Sequence, residues 1–210
     1  MPRTADHDAR RAQICDGVRA SAHQLGLVSV TMSSAARSAG VSVGLVQHYY
    51  DSKEALLVDT LDRVLADILG RVEHATARAE SRNARIEHMV GAGIEELLPI
   101  DRTRRIEARL RLSFAGLALD HEVFREHQAR FASVLRQRAA RAIENACECG
   151  EIPEPDAIDP QREAMALLSL ADGLCLQLLT SSEPDDVDRA REVIATRMST
   201  LFRGACSHRR

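Results

Sequence analysis

Residues 31–50 read TMSSAARSAGVSVGLVQHYY, and the reading of this stretch decides the fold. Thr31 is a good N-cap for a short helix over Met32–Ala39, because its hydroxyl can accept a first-turn N–H. Gly40 stops that helix, since glycine takes the left-handed conformation that helix ends favour. Ser42 then caps a second short helix, from Val43 to about Tyr49. Two short helices around Gly40-Val41-Ser42 make a helix-turn-helix. Ala35, Ala36 and Ala39 are small enough for close helix approach, and Val41 and Val46 can plug the angle.

Outward from this corner the chain reads as helix throughout. Towards the N-terminus, Ile14, Val18, Ala22 and Leu25 recur on one helical face from near Arg10, and Gly26 ends the run. Leu27–Val30 is a short apolar link. On the other side Asp51 and Glu54 stand at capping-box spacing, opening a helix that continues through Leu56, Leu57, Leu61, Val64, Leu65 and Ile68. Beyond residue 80 come long helices with short breaks: Arg85–Leu98 stopped by Pro99, then Thr103–Leu119. Asp120 is expected to cap a helix reaching Cys149, with Gly150 as its stop. Glu151-Ile152-Pro153-Glu154-Pro155 is the clearest loop. Asp159-Pro160 reads as N-cap and first helical residue of a helix to Thr180. Pro184, Asp185 and Asp186 open a last helix that ends near Phe202. The count is about nine helices, with no strand alternation and no internal repeat.

Composition agrees. The 210 residues are 45% hydrophobic, 28% charged and only 3% aromatic, with 11 Gly and 6 Pro, which argues against an all-β chain. A net charge of -3 and an ordinary apolar fraction argue against disorder. The fold class is therefore all-α, with an N-terminal three-helix domain over residues 8–68 and a helical domain over 69–210. The N-terminal stretch has no apolar signal region, and residues 164–179 are short for a membrane span and interrupted by Asp172 and Gln177. Five cysteines is an odd count in a chain with its own core, so a disulfide framework is not expected. These features lead to a cytoplasmic expectation.

The second short helix carries side chains unusual for a core element. Gln47, His48 and Tyr49 are polar-tipped and suit groove edges and phosphate oxygens, while Gly44 lets the backbone come close to a duplex. The only lysine, Lys53, follows directly. Charge here is nearly balanced: residues 1–54 hold six Arg/Lys against five Asp/Glu. Nonspecific attraction to DNA is then modest, and binding rests on Arg37, Lys53 and helix N-termini. Arg3, Arg10 and Arg11 form either an N-terminal arm or a solvated, unstructured end, with the second favoured.

Residues 10–57 resemble the DNA-binding domain of the TetR/AcrR family of transcriptional regulators. Arg11, Ile14 and Gly26 match its first helix and Thr31 opens its second. Its signature continues in Ala39-Gly40-Val41-Ser42 with Gly44, in His48-Tyr49-Tyr50, and in Ser52-Lys53-Glu54-Ala55-Leu56-Leu57. Val43-Gly44-Leu45-Val46-Gln47 and Asp172-Gly173-Leu174 look like the branch that includes the betaine-pathway (BetI-like) repressor. The resemblance implies double-stranded DNA as partner. Thr31, Ser33, Arg37 and Ser42 would serve phosphates or the groove rim, and Val43, Gly44, Gln47 and His48 would face the major groove. Tyr49 and Lys53 match family phosphate contacts, and Tyr50 would pack inward where the family usually has Phe. Gln47 is the expected base reader, since an amide pairs with adenine in bidentate fashion. The chain departs from the pattern at 35, 43 and 47, where larger aliphatic, polar and aromatic residues are common, so base preference does not transfer.

Such readers commonly act as dimers on palindromes. The last two helices are the expected interface, because residues 164–179 are apolar almost all round. The resemblance implies a four-helix bundle there and a ligand cavity among the middle helices. Its candidate lining is Met89, Leu110, Phe114, Leu117, Phe131, Leu135, Met165, Leu168, Asp172 and Cys175, with an apolar or amphipathic effector. Asp172 is either a ligand-orienting group or a hydrogen-bonding partner between helices. Ligand would displace the helix over residues 52–77 and change the separation of the two reading helices. The expected protein is a homodimeric repressor released by a small molecule. An activator of the same family, or a helical ligand-binding protein without DNA activity, is the alternative.

No enzyme is expected. The chain holds no P-loop, no Glu-x-x-His pair and no H-E-x-x-H, and no cofactor is implied. Cys147-Glu148-Cys149 is the one suggestive spot: two thiols that bind a soft metal or sense oxidation, or simply cysteines at the surface end of a long helix. No metal is assigned, because that spacing lacks a second ligand pair nearby. His23, His74 and His88 read as solvated.

Overall fold

A computed structural model describes residues 2–183 and 185–206. Among these residues the chain forms nine α-helices and no strand: α1 Pro2–Leu25, α2 Met32–Ala39, α3 Val43–Tyr49, α4 Lys53–Ser81, α5 Ile86–Glu95, α6 Arg102–Asp120, α7 Glu122–Cys149, α8 Pro160–Thr180 and α9 Asp186–Leu201. Single 3₁₀ turns occupy Leu27–Ser29 and Pro155–Ala157. The expectations placed on the Arg3 side chain and on Pro184 lie outside the described residues.

The chain divides into two compact units. The first holds residues 1–67 and 109–128, the second 68–108 and 129–210. The expected division, 8–68 and 69–210, is continuous in sequence, whereas these units are not. The sequence gives no sign that residues 109–128 belong with the N-terminal helices, because α6 and α7 run through without a break in composition.

In the first unit, α1 packs against α2. Ile14, Val18, Val30, Ala35, Val46, Leu56, Leu61 and Val64 are essentially inaccessible to solvent. The close approach is made at Gly17, where a Cβ would lie 2.4 Å from the Ala35 carbonyl oxygen and 2.6 Å from Ala39 Cβ. Small residues at 35 and 39 alone do not explain this distance; α1 must also lack a side chain. α1 begins at Pro2, well before the expected Arg10, so the N-terminal stretch is not an unstructured end. Nor is Arg11 a free arm, since its guanidinium pairs with Asp59 on α4.

Helix boundaries follow local chemistry. Thr31 Oγ1 accepts the Ser34 N–H and Ser34 Oγ accepts the Thr31 N–H, a complete capping box. Gly40 closes α2 at φ 68°, and Ser42 Oγ accepts the Leu45 N–H to start α3. Three expected caps are corrected. Ser52, not Asp51, caps α4, accepting the Ala55 N–H at 3.0 Å. Asp120 is the last residue of α6, and the carbonyl of His121 accepts the first helical bond of α7. α5 ends at Glu95 instead of Leu98, because Leu97 and Leu98 donate three residues back, a tighter turn leading into Pro99. Asp159 caps α8 as expected, accepting the Gln161 and Arg162 N–H groups.

The second unit has a core of Val90, Ile94, Leu98, Ala140, Ile143, Ile152, Leu167, Ala171, Ile194, Met198 and Phe202. Arg197 of α9 pairs with Glu163 of α8. Arg71 pairs with Glu96 and Glu107, and Arg104 adds a second bridge to Glu96 at 2.9 Å, so charges near the core are matched. α8 is long and apolar enough, by length and composition, to cross a membrane. It nevertheless buries Ala164, Leu167, Ala171, Leu174, Cys175 and Leu178, the face of a packed helix.

Candidate functional site

α3 is a seven-residue helix held from behind. Val46 is wholly buried, and Tyr50, just past its end, turns inward. Gln13 of α1 donates to the last carbonyl of α2, Ala39, at 2.9 Å, fixing the helix that precedes the corner. What α3 leaves in solvent is Val43, Gly44, Gln47 and His48. These positions are three and four apart, so they share one face. Thr31, Ser33 and Arg37 of the α2 segment, with Ser42 and Lys53 at the starts of α3 and α4, are also exposed. Around Gly44 a Cβ would meet nothing within 4 Å, which leaves an open notch in the face.

Two of the remaining groups already have partners. Lys53 Nζ donates to the Val28 carbonyl at 3.0 Å, which aims its ammonium across the link before α2 and leaves two N–H donors over. Tyr49 is half-buried, its ring lying 4.6 Å from that of His7 and 5.4 Å from that of His48. His7 carried no sequence signal, because α1 was not expected to reach it.

Behind the face a polar cluster joins α1, Tyr50 and α4. The Tyr50 hydroxyl donates to Asp59 Oδ2 at 2.5 Å, and Cys15 Sγ donates to the same oxygen at 3.4 Å. Arg11 and Arg63 stand 3.2 and 3.4 Å from it, and the Arg11 guanidinium also lies over the Tyr50 ring. Burial works against the charged carboxylate. The bonds from Tyr50 and Cys15 and the charges of Arg11 and Arg63 outweigh it, holding Asp59 below the usual carboxylate range. Burial, then the bond to Asp59, pushes the Tyr50 phenol well above its ordinary value, so it stays a neutral donor. A phenylalanine at this position has no hydroxyl and cannot make this contact.

The second unit contains a cavity of about 530 Å³. α4 supplies Val72, Glu73 and Thr76, α5 supplies Ile86, Met89 and Ile94, and α7 supplies Leu135, Arg138 and Asn145. Of the ten expected lining residues, Met89, Leu135 and Leu168 are on this wall. Leu110, Phe114 and Leu117 belong to the first unit, where Phe114 stacks at 5.7 Å on Phe124. Phe131 and Cys175 are buried away from the wall, while Met165 and Asp172 are exposed. All ten lie on apolar helix stretches, and periodicity alone does not separate core from cavity. The wall also uses Glu73, Arg138 and Asn145, polar residues that a search for apolar faces passes over.

Cys147 and Cys149 do not act as a surface pair. Cys149 is buried and Cys147 packs partly against the second unit's core. Cys149 lies instead beside Glu151 and Cys206, 57 residues further along the chain, with their ligand atoms all within 4.8 Å of one another.

Comparison with known proteins fits this architecture. Residues 14–60 match the model of bacterial regulatory proteins of the tetR family, and residues 86–203 match that of the BetI-type transcriptional repressor C-terminal domain. The chain is similar to the HTH-type transcriptional regulator BetI of Paraburkholderia xenovorans, 28% identical over 192 residues, covering 90% of this chain and 92% of that one. Among solved structures, a transcriptional regulator from Rhodococcus sp. superposes with a TM-score of 0.79 at 21% identity, over 92% of this chain and 96% of the other. A putative transcriptional regulator from Saccharomonospora viridis, solved in complex with choline, gives 0.75 at 19% identity, over 90% and 95%. With these two family models matched, the second over more than half of its length, the chain belongs to the TetR family of bacterial regulatory proteins and is a DNA-binding transcriptional regulator.

Proposed function

We propose that this regulator is a cytoplasmic homodimeric repressor that reads a palindromic operator with α3 and is released by a small molecule held in the second unit. The observation that carries this reading is the exposed face of Val43, Gly44, Gln47 and His48 on a helix locked from behind by Val46 and Tyr50. A rigid helix with an open notch at Gly44 seats deeply in a major groove, where Gln47 reaches a base edge. Thr31, Ser33, Arg37, Ser42, Tyr49 and Lys53 take the flanking phosphates and fix the register. Dimerisation through α8 and α9 is supported by the apolar side chains they leave in solvent, Met165, Leu176 and Val193.

The cavity wall supports an apolar or amphipathic effector. It holds many aliphatic side chains and no aromatic ring among the described residues. The S. viridis neighbour was solved with choline, but quaternary ammonium groups are commonly held over aromatic faces, which this wall does not offer. Arg138 and Asn145 can orient a polar head, with Glu73 paired to Arg138 at 3.4 Å. α4 is the element through which the effector acts: Val72, Glu73 and Thr76 line the cavity, and the same helix starts at Lys53, three residues after Tyr50. Release requires that the effector prefer the state that does not bind DNA.

Selection of random duplex DNA by the purified chain tests the reading. An enriched palindrome that is lost on Gln47→Ala, with unchanged mass and melting, is the expected outcome. If the folded dimer enriches no sequence, even after denaturation and refolding have stripped any bound small molecule, the operator reading fails.

A further inference from the structure

Residues 202–206, which follow α9, return to the end of α7. After α9 the Gly204 N–H donates to the Glu151 carbonyl at 2.8 Å. The Arg85 guanidinium donates to the carbonyls of Phe202 and Gly204, at 3.2 and 2.7 Å. No side chain fits at position 204, since a Cβ there would lie 2.0 Å from the Gly150 oxygen. This pinned segment brings Cys206 to Cys149 and Glu151, two sulfurs and a carboxylate oxygen within 4.8 Å of one another. Glu151 is wholly buried and Cys149 nearly so. The Glu151 carboxylate caps α5, accepting the Ile86 and Glu87 N–H groups at 3.1 Å each. Each of its oxygens therefore keeps a second lone pair.

We propose that Cys149, Cys206 and Glu151 form a binding site for a thiophilic divalent cation such as Zn²⁺. Two sulfurs and one oxygen are the donor set that selects zinc-like ions over magnesium or calcium. The C-terminal end of α7, at Cys149, places the negative end of the helix dipole beside the site. On binding, each thiol gives its proton to solvent as its sulfur bonds the metal, and no oxidation is involved. The two thiolates and carboxylate then exceed the cation by one negative charge, which Arg85, 3.7 Å from Glu151, offsets. The fourth position is left to water. The bound ion clamps the tail to the residue that caps α5, and Ile86 at that cap also lines the cavity. Occupancy therefore bears on effector binding.

The test is titration of the reduced, metal-free full chain with Cd²⁺, read by the ultraviolet thiolate-to-cadmium charge-transfer band, and with Zn²⁺ by equilibrium dialysis. One ion per chain is expected. Cys149→Ser and Cys206→Ser each weaken binding by about a hundredfold or more, whereas Cys147→Ser leaves it unchanged. Zn²⁺ raises the Tm of the wild-type chain and not that of Cys206→Ser, a replacement that changes one atom near the chain end and leaves the metal-free fold intact. The proposal is overturned if the reduced wild-type chain gives no band. A band that survives Cys206→Ser, or that depends on Cys147 instead, overturns it equally.

Discussion

Tyr49 and Tyr50 are neighbours with opposite tasks. Tyr49 stays half-exposed between two histidine rings on the solvent side of α3, while Tyr50 is buried and gives its hydroxyl to Asp59. The Asp59 carboxylate is thus the point where α1, the end of α3 and α4 are tied together, and its charge contributes stability. Because its pKa is held below the ordinary value, that contribution is fully present above the usual carboxylate range, about pH 4, and is lost as pH falls through the lowered value. Asp59→Asn keeps an acceptor for Tyr50 but removes the charge that Arg11 and Arg63 face. We expect it to cost about 1–2 kcal/mol at pH 7. Thermal melts of the two chains from pH 7 to pH 3 should converge on the acid side. A gap that stays constant over that range would show that the carboxylate charge contributes nothing. Tyr50→Phe should cost about 1 kcal/mol and leave the palindrome selected by the chain unaltered.

At the scale of elements, the helix-turn-helix depends on two glycines with contrary requirements. Gly17 lies where α1 meets the backbone of α2, so a methyl group there forces the helices apart. Gly44 lies on an open helix surface where a methyl group meets nothing. Gly17→Ala should therefore destabilise the chain by about 2–3 kcal/mol through overpacking, despite the better helix propensity of alanine. Gly44→Ala should be neutral to stabilising by up to about 1 kcal/mol, yet should weaken operator binding by filling the notch. Equal effects of the two on Tm would refute the packing argument. The contrast also explains what was legible beforehand. Thr31, Gly40, Ser42 and Asp159 act on atoms within a few residues, so their roles are visible in local sequence. Gly17 in the middle of a helix acts on atoms 18 residues away, at Ala35, and looks like any weak helix residue. The start of α1 is hidden for the same reason: Asp6, His7 and Asp8 carry no apolar period, and the helix gains from Asp8 bonding to Arg63 and from the His7 ring lying against Tyr49. Glu151 opens the stretch that reads as the clearest loop, yet it is buried because the N–H groups of α5, 64 and 65 residues distant, meet it there.

For the whole molecule, the exposed apolar residues of α8 and α9 favour pairing of two copies. Each buries one face within the second unit and leaves apolar side chains outside: Met165 and Leu176 at 52% exposure, Val193 at 44%. Isolated exposed apolar residues are ordinary, but here they sit on the two helices whose remaining outer positions include Ala166, Gly173 and Ala195, small residues that allow a second helix pair to come close. If two copies meet on these helices, Leu176→Arg places a charge at the centre of the contact without touching either unit's core. The variant should sediment as a folded monomer at micromolar concentration, with Tm read at matched concentration, since a dimer's apparent stability depends on it. Operator affinity should fall by about a hundredfold or more, because each half-site is then held alone without the gain in effective concentration that a joined pair provides. The loss should be recovered by fusing two variant chains in tandem through a flexible linker, which restores the pairing without restoring the contact. A Leu176→Arg chain that remains dimeric and binds the palindrome as before would move the interface elsewhere. A monomer that keeps full affinity would remove dimerisation from the account of how the operator is read.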